Sequence, residues 1–190
     1  MKTEHRGFTL IELLTTLAVL SVLATVAVPS FIESYRNFRL TSHVNNFVAS
    51  INFAKSEGMK RNLPIFIIPN NDDNNWDKGW KTFIDTNFND KLDKDDIVLS
   101  EYANENTNIL TKGNNTFSQN PAFLKFDGSG YPKDSQGGFA AMSISMGWCK
   151  SNCTDKNPEY ANLRYIKIAK TGRVRTCNPS KDTSCATSEN

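Results

Sequence analysis

Gly7-Phe8-Thr9-Leu10-Ile11-Glu12-Leu13-Leu14 opens a stretch that runs almost without charge as far as Pro29. A short basic leader, residues 1–7, precedes it, and residues 13–32 contain no ionisable side chain. At about 1.5 Å of rise per residue, a helix over that run crosses a hydrocarbon core of about 30 Å. The chain therefore reads first as a membrane protein. Glu12 is the single charge near the start of the span, and a carboxylate there costs roughly 2.5–3.5 kcal/mol unless it snorkels to the headgroups or meets a partner. A secretory signal peptide also sets basic residues before an apolar segment. Here, however, the run exceeds a typical signal core, Pro29-Ser30-Phe31 is not an A-x-A-like exit, and the glycine precedes the apolar residues instead of following them.

Gly7-Phe8-Thr9-Leu10-Ile11-Glu12 resembles the processing motif of type IV pilins and type II secretion pseudopilins. The resemblance implies cleavage after Gly7 by a prepilin peptidase and methylation of the new amino terminus on Phe8. It also implies that Glu12, fifth in the mature chain, meets the terminal amine of a neighbouring subunit during assembly. That contact would supply the partner its burial demands.

Behind the anchor, Pro29 marks a change of character within one expected long helix, since proline removes an intrahelical donor and usually kinks. Apolar residues then recur at Phe31, Tyr35, Phe38, Val44, Phe47, Val48, Ile51, Ala54 and Gly58, the spacing of an amphipathic helix that ends near 58–62. His43 falls on the polar side in this reading. Six segments, 63–69, 79–85, 97–102, 122–127, 138–146 and 163–169, are rich in branched and aromatic residues and bounded by Asn, Asp, Gly or Pro, so they read as strands. The Asn-rich stretches 70–75 and 104–115 read as solvated connections. The expected fold is α+β, with an antiparallel sheet packed on the amphipathic half-helix. The boundaries are a leader at 1–7, a membrane half-helix at 8–29, an amphipathic half-helix at 30–62 and a β-rich globular part at 63–190. That last part, about 130 residues, with the amphipathic half-helix, is enough for one core.

The net charge of +2 points to no bulk polyelectrolyte partner. Cys149, Cys153, Cys177 and Cys185 all lie in the last quarter, and an even count in an exported chain reads as disulfides. Of three possible connectivities, the sequence-local one is preferred: Cys149 with Cys153 and Cys177 with Cys185. Zinc is the competitor, but neither spacing matches a common finger or ribbon, and the two histidines, His5 and His43, are far away in sequence. No cofactor is expected.

Gly79-Trp80 with Phe83-Ile84-Asp85-Thr86-Asn87, then Phe126-Asp127-Gly128-Ser129-Gly130, then Thr171-Gly172-Arg173-Val174-Arg175, in this order behind this anchor, look like the FimT/FimU/GspH branch of the same superfamily. The branch implies a low-copy subunit near a filament tip. Its expected partners are other minor and major pilins, prepilin peptidase and the inner-membrane assembly machinery. Its expected course runs from the inner membrane, with the globular part in the periplasm, to an extracellular pilus.

Three places in the globular part could carry chemistry. Arg173 and Arg175 stand two apart, so on an extended strand they share a face, and Arg164, Lys167, Lys170 and Lys181 add charge nearby. Residues 160–190 hold six basic side chains against Asp182 and Glu189, whereas 61–110 run acidic. Guanidinium forks match phosphate oxygens without reading bases, and Gly172-Arg173-Val174-Arg175 resembles the GRxR motif associated with DNA capture in FimT-type pilins. Ion pairing with acids of the 70–105 region, or with a neighbouring subunit, is the competing role. Next, Asp85, Asn87, Asn89, Asp93 and Asp96 fall at the first, third, fifth, ninth and twelfth positions of a calcium-type loop. Asp90 occupies the position of the required glycine and the flanks read as strands, so a solvated acidic hairpin loop is expected and no metal. Last, no catalytic constellation is evident: His43 has no nucleophile beside it, and Ser129 in Gly128-Ser129-Gly130 reads as a turn. The chain is not expected to be an enzyme.

Overall fold

Thr9 and Glu12 set the start of the first element. In the computed structural model, which describes residues 7–71, 74–106, 108–151, 153–154 and 158–185, helix α1 runs over Leu10–Arg61. The expected leader, apart from Gly7, lies outside the described residues. Thr9 donates its N–H and its hydroxyl to Glu12 Oε2, each at 2.9 Å, and the Glu12 N–H returns to Thr9 Oγ1 at 3.3 Å. This is the reciprocal T-x-x-E capping box. The helix continues through Pro29. At the other end Asn62 takes a left-handed φ of 53° and the Leu63 N–H reaches back to the Gly58 carbonyl at 3.3 Å, so freed carbonyls are capped.

The chain divides into two compact units after Phe38. In the first, α1 is long and apolar enough to cross a membrane. Its apolar side chains, from Leu10 to Val28, are exposed on all sides. Thr15, Thr16, Ser21 and Thr25 turn their hydroxyls back onto carbonyls three residues earlier, so they present no unpaired donor to lipid. Phe31, Tyr35 and Phe38, expected on the buried stripe, are exposed as well.

In the second unit the buried stripe of α1 is Leu40, His43, Val44, Phe47, Ile51, Ala54 and Gly58. Among the described residues nine strands surround it: β1 (Ile65–Pro69), β2 (Gly79–Ile84), β3 (Ile97–Ala103), β4 (Ile109–Gly113), β5 (Leu124–Phe126), β6 (Pro132–Lys133), β7 (Met142–Ser151), β8 (Glu159–Ile168) and β9 (Val174–Cys177). They form two antiparallel sheets instead of the single one expected, in the orders β3-β2-β1-β5-β6 and β4-β7-β8-β9. One core joins them. Ile65, Ile67 and Leu124 enter it from the first sheet, Ile144, Met146, Ile166 and Ile168 from the second, and α1 supplies its stripe. Phe47 meets Trp80 edge-on at 4.7 Å and Trp76 and Phe117 at 5.9 and 6.1 Å, while Trp76 stacks on Phe117 at 4.0 Å. Both indole N–H groups are satisfied, Trp76 by the Phe117 carbonyl and Trp80 by Ser50 Oγ.

Two expectations need correcting. The 104–115 stretch is not only a solvated connection, because β4 lies inside it, pairs with β7 and buries Ile109. A short branched run between asparagines acquires its strand character from the partner, not from its own composition. His43 does not face solvent either. It lies three residues after Leu40 and four before Phe47, on the buried stripe, and is 2% exposed between the Trp80 and Tyr102 rings. Its Nδ1 is 3.3 Å from the Tyr102 hydroxyl, and Nε2 is buried without a partner among the described residues.

Burial pushes the His43 imidazole from 6.5 down to about 4. The folded protein thus resists protonation that the unfolded chain accepts below about 6.5, so stability is full above that pH and is lost as pH falls towards 4. The loss should total about 3 kcal/mol. Urea unfolding across that range is expected to show this slope, and His43→Phe to flatten it; an unchanged slope would place the pH dependence elsewhere.

Candidate functional site

Gly7 and Phe8 lie outside α1 with their side chains and backbone exposed, Phe8 at 89%. Nothing packs over this bond among the described residues. Glu12, one turn on, already has a partner in Thr9 within the isolated chain, so the carboxylate is not an unpaired charge before assembly. Thr9 was legible as the first letter of the capping box and passes unnoticed when the stretch is read only for processing.

The basic tail forms a second site. The β8–β9 hairpin turns through Lys170, Thr171 and Gly172, with the Gly172 N–H on the Ala169 carbonyl at 2.8 Å and the Ala169 N–H on the Arg173 carbonyl at 2.9 Å. Gly172 has a φ of 77°, and a Cβ there would lie 2.7 Å from the Gly130 carbonyl, so both conformation and space select glycine. Lys55 of α1 donates its ammonium to the Gly172 carbonyl at 2.5 Å and ties the turn to the helix. Arg173 therefore ends the turn, not the strand as expected, while Arg175 lies within β9 opposite Lys167 of β8.

Arg173, Arg175, Lys167 and Lys170 nevertheless line one cavity of about 290 Å³, together with Asn114, Ala141, Met142 and Ser143. No acid lines it among the described residues. Asp182 is close enough to respond to it: its carboxyl is held below the ordinary range, first by the Ser184 hydroxyl, then by the Ser184 N–H and the charges of Arg175 and Lys167. Neither Arg173 nor Arg175 makes an ion pair within 4.0 Å with the acids of 70–105 among the described residues. Lys181 is exposed but does not line the cavity. Lys167, read from the sequence only as nearby charge, is set opposite Arg175 by the turn centred on Thr171-Gly172. Four cations around one cavity can hold phosphate or another polyanion by charge and forked hydrogen bonds.

The structure joins Cys149 to Cys153 and Cys177 to Cys185. The second bridge closes the segment directly after β9 and buries Cys185. In the 85–96 loop, Asp85 is fully buried and accepts the Asn89 and Asp90 N–H groups; Asp96 accepts Thr86 and Asp93 N–H; Asp93 accepts the side chains of Asn87 and Asn89. Asp90 pairs instead with Lys125 at 2.6 Å, beside the stacked Phe66 and Phe83 rings. These oxygens close a hairpin between β2 and β3, and no group of three or more His, Cys, Asp or Glu suited to a metal is found among the described residues.

Compared with known families, residues 43–179 match the model described as type II transport protein GspH, and residues 3–28 match the prokaryotic N-terminal methylation motif. The chain belongs to the GspH family. The family model and the methylation motif together span the chain from its N-terminal segment to residue 179. Two crystal structures of the Pseudomonas aeruginosa type IV minor pilin FimU share its fold, with TM-scores of 0.55 and 0.52. Each is 16% identical; the matches cover 76% and 74% of this chain and 92% and 94% of FimU. No curated protein matches. GspH-family chains are structural subunits that interact with other pilins and, through the methylation motif, with prepilin peptidase. The methylation motif heads the apolar span of α1, which is long and apolar enough to cross a membrane.

Because Lys55 holds the Gly172 carbonyl, Lys55→Met is expected to speed amide exchange at Gly172 and Val174 by about tenfold while leaving β1 unchanged. Unaltered exchange would show that the turn is held by its own bonds.

Proposed function

We propose that this GspH-family chain is a minor pilin that enters a type IV pilus at or near its tip and helps to start assembly. The observation that carries the reading is the exposed apolar surface of α1 from Leu10 to Val28, headed by Gly7-Phe8 and Glu12. Such a surface suits lipid first and a bundle of like helices afterwards. The globular part waits in the periplasm, prepilin peptidase cuts after Gly7, Phe8 is methylated, and the helix passes from the inner membrane into the filament with the help of the assembly machinery. Glu12, released from Thr9, then receives the methylated amine of a neighbouring minor or major pilin.

The cation cavity supports a second role, contact with DNA during natural transformation, in which Arg173, Arg175, Lys167 and Lys170 bind phosphates without reading bases. A minor pseudopilin of a type II secretion system, handling protein cargo, shares the anchor and the family. A deletion strain scored for twitching, DNA uptake and exoprotein export separates these roles: loss of export alone would assign the chain to secretion.

Glu12→Ala is expected to spare membrane insertion but to reduce recovery in sheared pili at least tenfold; normal incorporation would remove the role given to Glu12. Arg173→Gln with Arg175→Gln is expected to lower DNA affinity and to reduce the slope of log affinity against log salt by about 2, with the fold intact. A gel-shift titration with unchanged affinity and slope would remove the DNA role.

A further inference from the structure

Along residues 139–144 burial alternates: Phe139, Ala141 and Ser143 are exposed or half-buried, whereas Ala140, Met142 and Ile144 are buried. This period of two places Phe139, Ala141 and Ser143 on one outward row. Ala141 and Ser143 line the cation cavity, so Phe139 is the next outward side chain, about 7 Å further along the chain. Its ring meets Tyr131 edge-on at 5.4 Å, and both rings are exposed, at 54% and 40%. Lys133 Nζ lies 3.8 Å from the Phe139 centroid and pairs with Asp127 at 3.4 Å. The two features also meet through the backbone, because Gly172, just before Arg173, packs on the carbonyl of Gly130, just before Tyr131.

A cavity lined by four cations and a neighbouring pair of exposed rings is the combination that binds single strands. Phosphates follow the charge, and unpaired bases stack on aromatic faces in a sequence-tolerant way. A duplex could use the cations but keeps its bases stacked on one another, leaving the rings without a partner. We propose that Tyr131 and Phe139 are a base-stacking platform beside the cation cavity, and that the nucleic acid this site takes is single-stranded. The inference rests on the phosphate-binding reading given above. The ring pair chooses the form of the nucleic acid; the cations provide the salt-dependent affinity.

The test uses the full chain in detergent micelles and fluorescence anisotropy with a labelled oligothymidylate and a labelled duplex of equal length. The oligothymidylate is expected to bind more tightly than the duplex. Tyr131→Ala and Phe139→Ala should each weaken the single strand by about tenfold and leave the duplex unchanged. Phe139→Leu, which keeps an apolar side chain against Tyr131, should act in the same direction if stacking is the cause. Equal or tighter duplex binding, or aromatic variants with undiminished single-strand affinity, would overturn the platform while the effect of Arg173→Gln and Arg175→Gln keeps the phosphate site. Absence of salt-dependent binding to either probe would remove the phosphate site and the platform with it.

Discussion

The edge-on packing of Phe47 against Trp80, with Trp76 and Phe117 on its flanks, is where α1 becomes part of a globular protein. Trp80 belongs to β2 in the first sheet, Trp76 precedes it, and Phe117 follows β4 of the second sheet. One helical side chain thus touches rings contributed from both halves of the β structure. Burying a ring of this size stabilises by about 1.5–3 kcal/mol before any gain from edge-on geometry. The Trp80 indole bond to Ser50, one turn further on, fixes the rotation of the helix against the sheet. With that rotation set, Ile51 and Ala54 complete the stripe and Lys55 is placed to hold the Gly172 turn. The position of Arg173 beside its cavity therefore depends on packing that begins far from it in sequence.

The first unit is governed by a different constraint. Its apolar side chains from Leu10 to Val28 are exposed, and its hydroxyls are folded back on the helix. Such a surface is stable in lipid and equally suited to a tight bundle of similar helices. The Thr9–Glu12 box keeps the carboxylate satisfied within the single chain, so the transfer to another subunit proposed for it would be an exchange of hydrogen bonds and not the rescue of a bare charge. That changes the energetic meaning of Glu12: Thr9 reduces the cost of placing its carboxylate at the head of an apolar span.

The processing motif was legible because a peptidase reads a linear stretch, and the strands with branched runs, such as Ile65–Pro69 and Gly79–Ile84, announced themselves by composition. β4 did not, since its pairing with β7 supplies what its asparagine-flanked residues lack. His43 was misplaced because a titratable side chain was assumed to seek water, whereas its spacing from Leu40 and Phe47 puts it on the buried stripe. The basic run from Lys167 to Arg175 was legible as charge, but not as four side chains lining one cavity. The placement of Lys167 opposite Arg175 and that of the Tyr131 and Phe139 rings depend on cross-strand neighbours and on the approach of Gly172 to Gly130, which no local window contains.

The transfer proposed for this chain, out of the membrane and into a filament, is read by mass spectrometry of sheared, washed pili. A low-copy chain whose first residue is N-methylated Phe8 is expected there. Pili that lack the chain, with the protein still in the membrane and its leader still attached beyond Gly7, would contradict it.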